Sequence, residues 1–258
     1  IEKSPEADFL TAFSALSSTS NLKSTVAQPL DIVLVLDASG SMDDPMGNSD
    51  STKRIDALKA AANSFIDEIA KQNASISDPA QQHQVSLVKF AGKKNNQVGN
   101  DTYRDGGYTY NYSQVMKNLT SCVGSSADDL KSTVNAIRPA GATQADYGLQ
   151  LAADQASGRE DAKKIVVFFT DGSPTSSSGF ESGVASSAVA AAKSMKDAGA
   201  TIYSVGIFSG ANPSADPTAS GTSKENKFMH AVSSNYPTAS YTNQGFIFDN
   251  WVWDFGPR

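Results

Sequence analysis

The run Asp31-Ile32-Val33-Leu34-Val35-Leu36-Asp37-Ala38-Ser39-Gly40-Ser41 decides the fold. Five consecutive apolar residues without alternation predict a strand buried on both faces, as in a parallel sheet between two helix layers. The run stops at an aspartate followed by small and hydroxyl residues, the composition of a tight loop at a strand's carboxyl end. A second stretch repeats the pattern, with Ile165-Val-Val-Phe-Phe169 leading into Thr170-Asp171-Gly172-Ser173.

Helical periodicity fills the intervals. Ile55, Leu58, Ala62, Phe65 and Ile69 fall on one helix face. Val85 to Phe90 reads as a strand, and Ser126, three residues before Asp129, opens a helix carrying Leu130, Val134 and Ile137. A helix from Ala145 to Ala156 follows, then one marked by Val184, Ala188, Ala191 and Met195 and stopped at Gly199. Thr201 to Phe208 is the next strand and Lys224 to Ser233 a short helix. The alternation predicts an α/β fold, a doubly wound, mostly parallel sheet with helices on both faces.

Three segments stand outside this rhythm. Residues 1–28 read as an N-terminal extension, with a short helix over Ala7 to Leu16 and a Ser/Thr-rich linker over Ser17 to Thr25. The domain itself spans 29–245. Residues 246–258 hold Phe246-Ile-Phe-Asp-Asn-Trp-Val-Trp253, an aromatic segment expected to pack on the domain or lead to a next one. Within the domain, residues 92–125 form an insertion or hairpin-bearing excursion, too long for an ordinary connection. Its Tyr103, Tyr108, Tyr110 and Tyr112, interleaved with Gly, Asn and Thr, suit it to choosing a ligand. The alternative is a hairpin that lays these tyrosines on the domain's own sheet edge.

Composition excludes several chemistries. The chain has 258 residues, enough to bury a substantial core. Its 21 basic against 27 acidic residues give a charge of −6, the wrong sign for neutralising nucleic-acid phosphates. A single cysteine, Cys122, rules out an intrachain disulfide framework and multi-cysteine metal sites, and reads as an inert thiol. His83 and His230, expected at the surface or as caps, leave little for a zinc site or a Ser-His-Asp triad. No apolar run approaches a membrane span, so no direct membrane insertion is expected.

What remains is oxygen chemistry. In open α/β sheets ligands bind beyond the carboxyl ends of the strands, where Asp37, Ser39, Ser41 and Asp171 fall. Pro139-Ala-Gly-Ala-Thr143, between two expected helices, presents another hydroxyl. Hydroxyl and carboxylate oxygens alone suit one hard divalent ion, Mg²⁺ with Mn²⁺ or Ca²⁺ as substitutes. Asp43 and Asp44, followed by Pro45, read as solvated loop acids.

Asp37-x-Ser39-x-Ser41, with Thr143 and Asp171 at the later places, resembles the metal-ion-dependent adhesion site of von Willebrand factor type A domains over roughly Pro29 to Asn243. The phrase from Asp31 to Met42 looks like that of Gram-positive pilus tip adhesins. The resemblance implies that Ser39, Ser41 and Thr143 give hydroxyls to the ion, while Asp37 and Asp171 act directly or through water. It implies a non-enzymatic adhesion module at the cell surface or cell wall of a Gram-positive bacterium. Its partner would be a host extracellular-matrix or other surface protein supplying Asp or Glu, with further pilus or surface subunits beside it. Two other readings stay open. One is a Mg²⁺-dependent phosphatase of the haloacid-dehalogenase type, although Ser39 stands where that family has a second acid. The other is a structural shaft domain with an internal Lys–Asn isopeptide crosslink, whose partners the sequence cannot pair.

Overall fold

Alternate residues of strand β1 (Leu30–Asp37) feed two different cores. In the computed structural model, which describes residues 28–47, 50–93 and 101–248, Ile32, Leu34 and Leu36 face one side and Val33 and Val35 the other, all essentially inaccessible to water. The first core is closed by α1 (Arg54–Asn73), through Ile55, Leu58, Phe65 and Ile66, and by α2 (Gly124–Ala136), through Leu130 and Val134. The second is closed by α3 (Ala145–Gln155), α4 (Ser182–Asp197) and α5 (Lys224–Val232). Gly148 of α3 sits directly on Phe90, where a β-carbon would come within 2.7 Å of the ring.

The sheet has five strands. β4 (Gln84–Phe90), β8 (Lys163–Thr170) and β9 (Thr201–Gly206) run parallel with β1, and β7 (Gln114–Ser121) lies antiparallel on the edge, in the order β7-β4-β1-β8-β9. The chain winds outward from β1 in one direction through β4 and in the other through β8. The carboxyl ends of β1 and β8 therefore meet at the topological switch point, the place where such sheets hold ligands. Two short hairpins flank the sheet, β2 (Pro45–Gly47) with β3 (Asp50–Lys53) and β5 (Thr102–Asp105) with β6 (Tyr108–Asn111).

Several expectations are corrected. The excursion over 92–125 is not all insertion, because 114–121 supplies the edge strand β7, whose mostly half-buried residues and register shifts against β4 hide its periodicity. Within the described part of the excursion, Tyr103 stacks on Tyr110 (5.4 Å between ring centres) and tilts against Tyr112 (4.7 Å), leaving Tyr108 as the exposed tip. Helix α2 begins at Gly124, so Ser126 lies inside it rather than capping it. β9 ends at Gly206 instead of Phe208. The final hairpin, β10 (Ser240–Thr242) with β11 (Gly245–Ile247), packs Phe246 against Tyr241 and Phe180, and Phe248 stands edge-on to Tyr236. The expected N-terminal helix and linker, and Trp251 and Trp253, lie outside the described residues. Among the described residues no helix is long and apolar enough to cross a membrane.

Both histidines are buried rather than on the surface. His83 does cap, since its Nδ1 accepts the N–H of Leu30 at 3.1 Å. Burial, and then the Arg159 charge, hold its pKa below the usual 6.5. The unfolded chain therefore gains a proton below pH 6.5 that the native chain refuses, and this group's contribution to stability is full above that pH and lost as pH falls. Relative to wild type, His83→Gln is expected to lose less stability as pH falls from 6.5 to 5, the difference having a slope of at most about 1.4 kcal/mol per pH unit. Urea midpoints of the two proteins across that window check it, and parallel curves would remove His83 from the acid response. Cys122 is fully buried, its Sγ facing the Ile66 carbonyl, and burial pushes the thiol up to about 12, as an inert thiol requires.

Candidate metal centre

The two ends of β1 each carry a buried aspartate, and their surroundings are opposite. At the amino end, Asp31 is fully buried, with Arg159 Nη2 at 2.7 Å and Lys164 Nζ at 2.9 Å. Burial alone would raise its pKa, but the hydrogen bonds and charges of Lys164 and Arg159 outweigh it and hold the carboxyl below the carboxylate range. At the carboxyl end, Asp37 is equally buried, yet its hydrogen-bond partners are neutral. Oδ1 accepts the Ser39 N–H at 2.9 Å, while Oδ2 accepts the Thr170 hydroxyl at 2.7 Å and the Asp171 N–H at 3.3 Å. Burial first, and then the nearby Asp171 charge, raise Asp37 to about 7. Asp171 is raised as well, mainly by its own burial. Two adjacent buried acids, one with no cationic contact among the described residues, form the kind of arrangement a bound cation stabilises.

The hydroxyls expected beside these acids are in place. Ser39 Oγ and Ser41 Oγ lie 3.2 Å apart across the start of the short 3-10 turn Gly40–Asp43. The loop carrying Thr143 is bolted to the Asp37 loop by two backbone hydrogen bonds, Gly40 N–H to Gly141 O and Ala140 N–H to Ala38 O, each at 2.9 Å. Gly141 makes this approach possible with φ of +100°, and a β-carbon there would meet the Tyr110 ring at 2.6 Å. Thr143 in turn exchanges backbone bonds with Thr175 at 2.9 and 3.0 Å, which ties it to the loop after β8. Asp43 is exposed and paired with Lys53 at 2.8 Å, as a solvated loop acid should be. All five residues named from sequence thus converge on one end of the sheet. Two carboxylates and three hydroxyls with no nitrogen or sulfur donor fit a hard divalent cation such as Mg²⁺.

Ser41, Thr143 and Asp171 open onto a groove of about 850 Å³. Its far wall comes from the loops after β8 and β9, including Ser173, Thr175, Phe208 and Asn212, and from Glu225 in the first turn of α5. No residue of the β5–β6 hairpin lines it. Apart from Gly141 to Thr143 and Ser173, the surface next to the site comes from segments that the sequence does not single out.

Three further residues escaped the sequence reading. Thr170 hydrogen-bonds Asp37, as described above, and its Oγ1 also accepts the Gly172 N–H at 3.2 Å. Arg54 reaches across from the start of α1, placing Nη1 3.1 Å from Asp171 Oδ2 and 3.4 Å from the Ser41 carbonyl. Asn111, at the end of β6, points its Nδ2 at three carbonyls, those of Ala38 (2.9 Å), Arg138 (2.7 Å) and Ala140 (3.3 Å). The buried Lys89 donates to Asn111 Oδ1 at 3.3 Å and to Asp101 at 3.5 Å. A phrase such as Tyr110-Asn-Tyr112 carries no signal for that role, since Asn is also an ordinary loop residue.

Comparison with known proteins agrees with this architecture. The family model for the von Willebrand factor type A domain matches residues 31–244. Among solved structures, the pilus adhesin SpaC from Lactobacillus rhamnosus GG is similar over 82% of this chain at 20% identity, with a TM-score of 0.56. Three N-terminal domains of the type V pili tip protein Mfa5 from Porphyromonas gingivalis match 80% of it at 12% identity and 0.53. The PilB minor pilin from Streptococcus sanguinis matches 74% at 14% identity and 0.50. The chain spans only 28%, 45% and 52% of those three structures, so the likeness is one of fold. No curated protein matches in sequence. A family match across most of the chain, on a sheet whose switch point gathers Asp37, Ser39, Ser41, Thr143 and Asp171, is sufficient: the chain belongs to the von Willebrand factor type A domain family.

Proposed function

We propose that this domain is a non-enzymatic, divalent-cation-dependent adhesion module. Asp37, Ser39, Ser41, Thr143 and Asp171 hold one Mg²⁺, or Mn²⁺ or Ca²⁺ in its place. The observation that carries the reading is the buried Asp37–Asp171 pair, in which Asp37 has no cationic contact among the described residues, beside three hydroxyls at the mouth of a groove. Where most donors are neutral hydroxyls, a bound ion keeps much of its charge and can accept an outside ligand. A partner's Asp or Glu supplies that ligand, and the groove provides area for the residues around it. The partner is then a host extracellular-matrix or other surface protein, and the domain is part of a longer surface protein of a Gram-positive bacterium, assembled with other pilus or surface subunits. The fold likeness to a pilus adhesin, a pili tip protein and a minor pilin supports the surface and pilus part of this reading.

A peptide array tests the proposal directly. Mg²⁺-loaded protein should be retained on Glu-containing sequences, released by chelator, and retained far less on the same sequences with Gln. Binding that survives chelator at full strength, or that ignores the change to Gln, overturns it. Turnover of a simple phosphoester by the loaded protein would favour an enzyme instead.

A further inference from the structure

We infer that Arg54 is a positioning residue that withholds Asp171 from full commitment to the cation and keeps a positive charge beside the loaded site for the partner's carboxylate. The inference rests on the cation-dependent reading above.

The position of Arg54 is unfavourable by itself. It is the first residue of α1, where the helix dipole favours acids and disfavours cations. Its neighbour Lys53 turns to solvent and Asp43. Arg54 instead folds against the site, with its side chain about one-fifth exposed and its Nε buried without a hydrogen-bond partner. The contact to Asp171 is through Nη1 alone, which also reaches the Ser41 carbonyl. A guanidinium optimised for stability would take the carboxylate with both arms of its fork. Here a single arm touches Asp171, and the Arg54 side chain stands in the groove wall.

Charge counting gives the consequence. Asp37 and Asp171 offset part of a divalent ion's charge, and Asp44, whose charge acts on Asp171, and Glu225 in the groove wall add more negative charge. The guanidinium opposes these acids, so its positive charge beside the loaded ion favours a partner carboxylate. The same guanidinium repels the incoming ion, because like charges a few ångströms apart oppose each other strongly at a site of low dielectric. Arg54 therefore acts in opposite directions on the two ligands, weakening the ion's binding and strengthening the acid's. Damage to the fold would weaken both.

Mn²⁺ and acetate are sufficient probes, with water-proton relaxation reporting the bound ion. Arg54→Met is expected to bind Mn²⁺ about tenfold more tightly and, once loaded, to bind acetate about tenfold more weakly. Arg54→Lys should restore acetate binding. Arg54→Gln carries the same readouts if the Met variant does not fold, and failure of both to fold would make Arg54 a structural residue and overturn the inference. Unchanged or weaker Mn²⁺ binding in the charge-removed variant, or undiminished acetate binding, overturns it as well. Wild-type protein that fails to bind Mn²⁺ overturns the cation reading itself, a result distinct from these.

Discussion

Asp37→Asn is expected to abolish Mg²⁺ binding while leaving the metal-free protein at least as stable as the wild type. The first half follows from geometry. Asp37 is the fully buried carboxylate at the switch point, held on both oxygens by Ser39, Thr170 and Asp171, so its direction is fixed before any ion arrives. A preset ligand of this kind is worth more than a supporting contact, whose loss already costs 10–100-fold in metal affinity by general experience, so a loss of more than about a hundredfold is expected. The second half follows from charge. Burial and the neighbouring Asp171 both penalise ionised Asp37 in the empty site, and an amide removes that penalty while its oxygen still accepts the Ser39 N–H. Asp37→Ala should lose the ion equally but also forfeit the Ser39 and Thr170 contacts, and so should melt lower. Calorimetric titration with Mg²⁺ and thermal melting in chelator separate the variants. Retained Mg²⁺ binding in either would remove Asp37 from the site, and a clear destabilisation of the amide variant would make Asp37 structural rather than functional.

That opposition between function and stability bears on how much of the molecule could be read from residues alone. β1 and β8 were legible because strands buried on both faces leave no freedom of composition, and their terminal aspartates because an acid after such a run has few other reasons to be there. The Asp37–Ser39–Ser41 hydroxyls follow within four residues of a strand end, and local sequence captures them. β7 is illegible for the converse reason: a half-buried edge strand with a shifting register against β4 accepts Gln, Lys, Asn and Thr. Arg54 and Asn111 were missed because their contacts are set by topology, 117 residues from Asp171 and 73 residues from Ala38 respectively. The sequence leaves the tyrosine-rich excursion open between choosing a ligand and packing on the domain, and in the structure Tyr103, Tyr110 and Tyr112 pack on one another, Tyr110 lies against Gly141 and Tyr108 is exposed. The groove walls were overlooked because Ser, Thr, Gly and Asn after β8 and β9 are what any loop contains.

Asn111→Ala is expected to be the most destabilising of the conservative truncations near the site, and to loosen the site without touching a ligand. Asn111 is almost fully buried. Its amide nitrogen satisfies carbonyls from two separate segments, Ala38 beside Asp37 and Arg138 and Ala140 before Thr143. Its backbone N–H adds a second bond to Ala140 at 3.0 Å, and its carbonyl accepts the Gly92 N–H at 3.0 Å. Removing the side chain leaves the Arg138 carbonyl without its partner and takes one bond each from the Ala38 carbonyl, which keeps the Ala140 N–H, and from the Lys89 ammonium, which keeps Asp101; a buried polar group left unpaired costs about 1–3 kcal/mol. A loss of about 2 kcal/mol is expected, given one carbonyl left unpaired and the surviving backbone bonds to Ala140. Mg²⁺ affinity should fall with it, because the Asp37 and Thr143 loops share this clamp. Asn111→Asp gives the sharper comparison: it keeps the shape but replaces the two donated hydrogens with oxygen facing carbonyl oxygen, and should be no better than Ala. Intact mass adds an independent reading of the same contact. With Asn111 as a clamp the mass equals that of the unmodified chain, whereas loss of one ammonia would join Lys89 to Asn111 covalently and convert the clamp into a crosslink. An Asn111→Ala protein that melts and binds Mg²⁺ like wild type would show that the two loops hold each other through Gly40–Gly141 and Ala38–Ala140 alone.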